Sequence, residues 1–260
     1  MSSLGAFYIC FKEKNAIEKS IASFKQFYPD APIYLTSDGG YDYSYLENQH
    51  SNMKCVLDKE MTVGVTKDIE KMVASNQFPI VPLFMASMQF LMRLKKGIDF
   101  CQTDYVLLME PDVFVRGELN LTEYELVGPK PNPMPQSIQQ YIIDNGGHNN
   151  VAWGAAAGVM QTKAFNIIYD DLINNQHKML EWLYLDPRMA CYDYLLTFLF
   201  SMYGFKYEKN LDLTECKRNP DWKTSDHPLL HQYYANYTSN ISLFFESAKL
   251  FVVFIYNIFE

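Results

Sequence analysis

The stretch Tyr105-Val-Leu-Leu-Met-Glu110-Pro-Asp112-Val-Phe-Val-Arg116-Gly117 decides how the chain is read. Residues 105–109 are an unbroken apolar run, the pattern of a strand buried on both faces of a parallel sheet. Glu110 and Asp112 follow where the run stops. Pro111 withdraws a backbone donor between them, so the ladder ends there or continues only at an edge. On extended backbone, positions i and i+2 face the same side, which brings the two carboxylates together. Paired hard oxygens of this kind suit a divalent cation. In open α/β sheets, ligands gather outside the carboxyl ends of the strands. The motif therefore points to metal-dependent chemistry on a phosphate-bearing substrate. The plainer reading is two solvated acids flanking a turn.

Outward from this strand, the pattern alternates. Gly5–Phe11 reads as a first buried strand and Ile33–Thr36 as a second, ending in Ser37-Asp38-Gly39-Gly40. Between them, Ile17, Ile21, Phe24 and Phe27 recur at helical spacing over Asn15–Tyr28 and stop before Pro29. Met53–Leu57 fits a third strand, and Phe84–Leu94 an amphipathic helix closed by Lys95, Lys96 and Gly97. This order predicts an α/β fold with a mostly parallel, Rossmann-like sheet flanked by helices. The second half is less regular. Pro129, Pro131, Pro133 and Pro135 mark a long loop, Ala152–Met160 is almost all small residues around Trp153, and Tyr192–Phe200 predicts a strongly apolar helix.

The 260 residues, 48% of them hydrophobic, suffice for one large core. A net charge of −8 argues against nucleic acid as partner, because phosphate backbones select basic surfaces. A small phosphorylated ligand stays compatible, since a bound cation can supply the positive charge locally. The five cysteines are odd in number and never in CxxC spacing, which fits reduced thiols better than zinc or a disulfide framework. Neither a signal peptide nor a membrane span is read from the sequence. Leu243–Phe259 is dense in apolar residues, and residues 241–260 are expected to form a terminal helix. Docking on the body, on a second copy, or on a membrane surface are its three alternatives.

Three features in order carry a resemblance: Ile9-Cys10-Phe11-Lys12, then Ser37-Asp38-Gly39-Gly40, then Met109-Glu110-Pro111-Asp112-Val113. Together they resemble the GT-A class of nucleotide-sugar glycosyltransferases, over about the first 120 residues and more loosely to the end. The resemblance implies a single GT-A-like domain over residues 1–240, with residues 1–120 binding nucleotide and 121–240 binding acceptor. It also implies Mn²⁺ or Mg²⁺, a UDP-sugar donor ahead of a GDP-sugar, and a glycan or glycoconjugate acceptor. Phe11, Lys12, Asp38 and Gly39 would hold the nucleoside, with Arg93 near the phosphates. Asp112, Glu110 and the late His231 would hold the metal, Glu110 standing where the class usually has Asp and so also a candidate for the ribose. Trp153 and Gly154 would line the sugar site. Asp193, opening the apolar helix, would be the base that deprotonates the acceptor hydroxyl with inversion, and Asp186 is the second candidate.

Each assignment has a structural counterpart. Asp-Gly is a common turn dipeptide, small residues around Trp153 also suit tight packing, and an acid in a first helical turn complements the dipole without doing chemistry. A lone His is more often structural than a ligand. Sugar nucleotidyltransferases, P-loop enzymes and Rossmann dehydrogenases fit less well, because no glycine-rich phosphate loop follows the first strand. A non-catalytic nucleotide-sugar or glycan-binding module on the same fold is the alternative. The chain reads as a cytoplasmic protein of a type found in bacteria or large DNA viruses, in the host cytoplasm if viral.

Overall fold

A computed structural model of the chain describes residues 2–58, 80–121, 125–128, 132–148, 152–153, 158–209, 214–216 and 226–231. The expected terminal helix over 241–260 lies outside these residues, as do Gly154 and the side chains of Trp153 and His231. Strand β1 (Leu4–Cys10) leads through α1 (Lys14–Phe27) to β2 (Ile33–Asp38), then to β3 (Met53–Asp58), α2 (Ile80–Cys101), β4 (Tyr105–Met109) and β5 (Val113–Val115). The second half holds β6 (Leu126–Gly128), β7 (Asn132–Pro133), α3 (Gln136–Asp144), β8 (Ala152–Trp153), β9 (Val159–Gln161), α4 (Thr162–Asn174), α5 (His177–Leu185) and α6 (Tyr192–Met202). Strands β10 (Tyr207–Lys209), β11 (Thr214–Cys216) and β12 (Leu229–His231) follow.

The main sheet runs β10-β6-β9-β4-β1-β2-β3. Pairs β1/β2, β1/β4, β2/β3 and β6/β10 are parallel, while β9 lies antiparallel to both β4 and β6. The fold is therefore α/β with a mostly parallel sheet flanked by helices. Side chains of β1 and β4 alternate between two cores, as the pleat requires. Phe7, Val106 and Leu108 join the face covered by α2, α4, α5 and α6, and Ala6, Tyr8, Leu107 and Met109 join the face covered by α1. Chain order reverses between β1 and β4, because β1 feeds β2 on one side while β4 arrives on the other. That reversal is where an α/β sheet opens a crevice at its carboxyl edge.

Two differences from the sequence-based expectation have clear causes. Helix α2 does not close at Gly97 but runs on to Cys101 and stops where Gln102 turns to φ +52°. Gly97 is there for contact rather than termination: a Cβ at that position would sit 2.5 Å from Phe7 Cδ2. Helices α3, α4 and α5 replace much of the expected irregularity. In α4, Ala164, Phe165, Ile168 and Leu172 are buried at three- and four-residue spacing, the ordinary signature of a helix face. Cys10, Cys55, Cys101 and Cys191 form no disulfide among the described residues, and burial pushes the thiols of Cys55 and Cys101 up to about 12. Among the described residues, no helix is long and apolar enough to cross a membrane.

Gly97→Ala tests the close packing of α2 on β1. Overpacking a filled contact costs about 1–3 kcal/mol, so urea midpoints should fall with little change in slope. An unchanged midpoint would mean that the helix can shift away without loss.

Candidate functional site

The carboxyl ends of β1 to β4 converge on one edge of the sheet, which gathers Phe11, Asp38, Asp58 and the Glu110–Asp112 segment. Two of these ends are knitted together through backbone. The Phe11 carbonyl accepts from Tyr41 N–H at 2.9 Å and from the Tyr43 hydroxyl at 3.3 Å. Gly40 allows this approach, because a Cβ there would lie 1.8 Å from the Phe11 carbonyl oxygen. At Gly40 the space a side chain would need is taken by the Phe11 backbone. Gly39 adopts φ +66° and its N–H donates to the Asp58 carbonyl at 2.6 Å. Lys12 is exposed, its ammonium 4.7 Å from the centroid of the Phe11 ring.

Asp38 and Arg93 are both buried and form an ion pair through Nη1 and Oδ1. Arg93 Nε also lies 3.0 Å from Asp58 Oδ2, and that oxygen accepts from Thr36 Oγ1 at 2.8 Å. One guanidinium thus holds the ends of β2 and β3 against α2, with two carboxylates around a single cation. The expectation placed Arg93 near phosphate; in the structure it meets the carboxylates of Asp38 and Asp58. Asp58 was not singled out in the sequence, although β3 ends in an acid just as β2 does.

Asp112 is 3% exposed and sits in the turn after β4, closed by Val113 N–H donating to the Glu110 carbonyl at 3.1 Å. Helix α1 secures the strand that follows. The Ser20 hydroxyl donates to the Val113 carbonyl, Val115 N–H donates to Ser23 Oγ at 3.0 Å, and Leu119 N–H donates to the Tyr28 hydroxyl at 2.5 Å. Side chains along one helix face thereby take the place of a neighbouring strand. On its other edge β5 pairs antiparallel with β12, in a register that sets His231 opposite Val113. His231 and Asp112 are therefore brought together by backbone pairing although far apart in sequence.

Glu110 Oε1 accepts from the hydroxyl of Tyr192, the first residue of α6. Asp193 follows on the same turn, with its backbone carbonyl accepting from Thr197 Oγ1 at 2.9 Å. Burial, and after it the charge of Asp193, push the Tyr207 phenol upward. Asp186 is differently placed. It is buried, caps the turn Pro187–Ala190, receives Arg188 Nε at 2.9 Å and Nη2 at 2.6 Å, and accepts from the Tyr194 hydroxyl at 2.9 Å. With both oxygens engaged, it serves the geometry ahead of α6. Strand β8 packs against α6 and pairs Trp153 with Asn132.

A hard divalent cation fits this donor chemistry. Asp112 is a buried carboxylate at a strand end, and Mg²⁺-type sites commonly use one or two carboxylates with substrate phosphates completing the shell. Among the described residues, no three His, Cys, Asp or Glu side chains form a ready-made cage. Tyr192 is the residue that sequence reasoning passed over; its only signal was adjacency to Asp193.

No family model matches the chain, and no curated protein matches it. Among solved structures, it is similar to galactosyltransferase LgtC in complex with donor and acceptor sugar analogs, at 14% identity over 94% of this chain and 95% of that one, with a TM-score of 0.47. An active-site mutant of LgtC gives 13% identity over 94% and 95%, with a TM-score of 0.46. Likeness at this level assigns no family.

Arg93→Met would leave Asp38 and Asp58 facing each other without their shared cation. Removing one partner of a buried ion pair costs about 3–5 kcal/mol, so the melting temperature should drop sharply at neutral pH. A drop comparable to that of a surface Lys→Met change would show that the cluster carries little energy.

Proposed function

We infer that the chain is a metal-dependent glycosyltransferase of the GT-A type, moving a hexose or pentose from a UDP-sugar, or less favourably a GDP-sugar, to a glycan hydroxyl. The observation that carries this reading is the register of β12 on β5, which sets His231 beside the buried Asp112 at the carboxyl edge of the sheet. An acid and a histidine on neighbouring backbone positions there are residue types that suit a cation facing a diphosphate. Such a cation, when bound, would offset the negative charge that develops on the leaving diphosphate.

The chain's own groups divide the remaining work. Asp38, held by Arg93, and the Phe11–Lys12 corner face the nucleoside and phosphate side. Asp193 opens α6 beside β8 and would take the acceptor proton, with Trp153 and Gly154 lining the sugar. A base in that position implies attack from the far side of the anomeric carbon and an inverted product. The second reading, a non-catalytic nucleotide-sugar or glycan-binding module, draws on one observation: one oxygen of Glu110 accepts from the Tyr192 hydroxyl, where the class usually has an Asp.

Thermal shift with UDP- and GDP-sugars, with and without Mn²⁺, tests the donor. A ligand at a hundredfold excess over its Kd should add about 2.7 kcal/mol, and Asp112→Ala should abolish the metal-dependent part. No shift with any nucleotide sugar would sink the transferase reading. Asp193→Asn separates enzyme from module: turnover should fall by about 10²–10⁴-fold while donor binding holds. The anomeric configuration of the product, read by NMR, decides the role of Asp193, since a retained product removes it as base.

A further inference from the structure

Glu110 stands where two carboxylates would ordinarily share a cation, yet one of its oxygens accepts from a phenol on a distant helix. The Tyr192 hydroxyl donates to Glu110 Oε1 from the first turn of α6, and the Tyr192 ring rests on Phe90 of α2, with centroids 5.4 Å apart and planes at 38°. Phe90 is buried, so the ring has a fixed wall behind it. Beneath the pair, Phe7, Ile9, Leu108 and Met109 close a cavity of about 10 Å³. That is about the smallest space that holds a single water, and Glu110 and Tyr192 complete its lining at the ends of β1 and β4. Glu is one methylene longer than Asp, and this extra reach lets the carboxylate meet α6 while Asp112 stays two residues on in its turn.

We propose that Tyr192 is a positioning residue that holds Glu110 away from the cation, so that Asp112 is the only carboxylate of this element to ligate it. This assignment rests on the donor reading above. It explains how a Glu-x-Asp pair can serve at the end of a buried strand: the long acid ties the nucleotide half to the helix that carries Asp193, and the short acid meets the metal.

A double-mutant cycle over Tyr192→Phe, Glu110→Gln and the double variant tests it. Mn²⁺ affinity is measured by EPR of free Mn²⁺ with UDP present, and unfolding midpoints are measured without cation or nucleotide. Glu110→Gln should leave Mn²⁺ affinity within about twofold, and Tyr192→Phe should tighten it about tenfold by freeing a second carboxylate, the scale on which neighbouring groups tune metal sites. The double variant should return to the wild-type affinity. A purely structural tyrosine would weaken binding or leave it unmoved, and would show no such reversal. Loss of tenfold or more in Glu110→Gln overturns the proposal, because Glu110 would then be a ligand. In the cation-free protein, the two substitutions should shift the midpoint non-additively; additive shifts overturn the Tyr192–Glu110 contact itself. Absence of Mn²⁺ binding in all four proteins overturns the ligand assignment together with the donor reading. The cation-free cycle still reads the contact separately in that case.

Discussion

The burial of β1 and β4 on both faces constrains everything else. Two adjacent parallel strands with helices above and below can present no polar side chain along their length without a large desolvation cost. Their only oxygen-bearing side chains are Tyr8, whose hydroxyl is met by Ser20, and Tyr105 at the start of β4, and every described residue of β4 is buried. Polar chemistry is therefore displaced to where the strands run out. Asp38, Asp58, Glu110 and Asp112 all lie at or just beyond carboxyl ends, on the edge where strand order reverses.

Holding acids at such an edge requires support from outside the sheet, and the molecule uses different supports for different acids. Asp38 and Asp58 share Arg93, a choice that fixes α2 to two strand ends. Asp112 instead depends on backbone: Ser20 and Ser23 bind one edge of β5, and β12 binds the other. Each such hydrogen bond contributes only about 1 kcal/mol net, but leaving the buried carbonyl of Val113 unmet costs more than the bond itself contributes. Asp186 marks the contrast, since its carboxylate is consumed by Arg188 and Tyr194 in shaping the approach to α6.

Much of this was legible in the sequence where one period dominates. The apolar run 105–109 matches β4 residue for residue, and the Ile17, Ile21, Phe24 spacing matches α1. The reading failed where a residue's reason lies in a distant partner. Gly97 looks like a helix stop but makes room for Phe7, and Gly40, which follows a common turn dipeptide, makes room for the Phe11 carbonyl. Arg93 could be matched to phosphate or carboxylate from sequence; only the strand register shows two acids beside it. The α4 helix was present as a periodic pattern and went unread because the prolines before it suggested irregularity. Tyr192 could not be found from spacing at all, because its meaning depends on α6 meeting the end of β4.

The pairing of β5 with β12 has a kinetic side. Val113 and His231 are 118 positions apart, whereas Val113 and Ser20, on β5 and α1, are separated by 93. Loop-closure entropy rises with the length of chain between two contacts, and non-local pairing slows folding. The two closures differ by only about 0.2 kcal/mol of loop entropy, so order of synthesis, not loop length, is expected to set Asp112 against α1 before His231 arrives with the last described strand. A chain emerging from synthesis would carry half of its candidate cation site until residue 231 had been made.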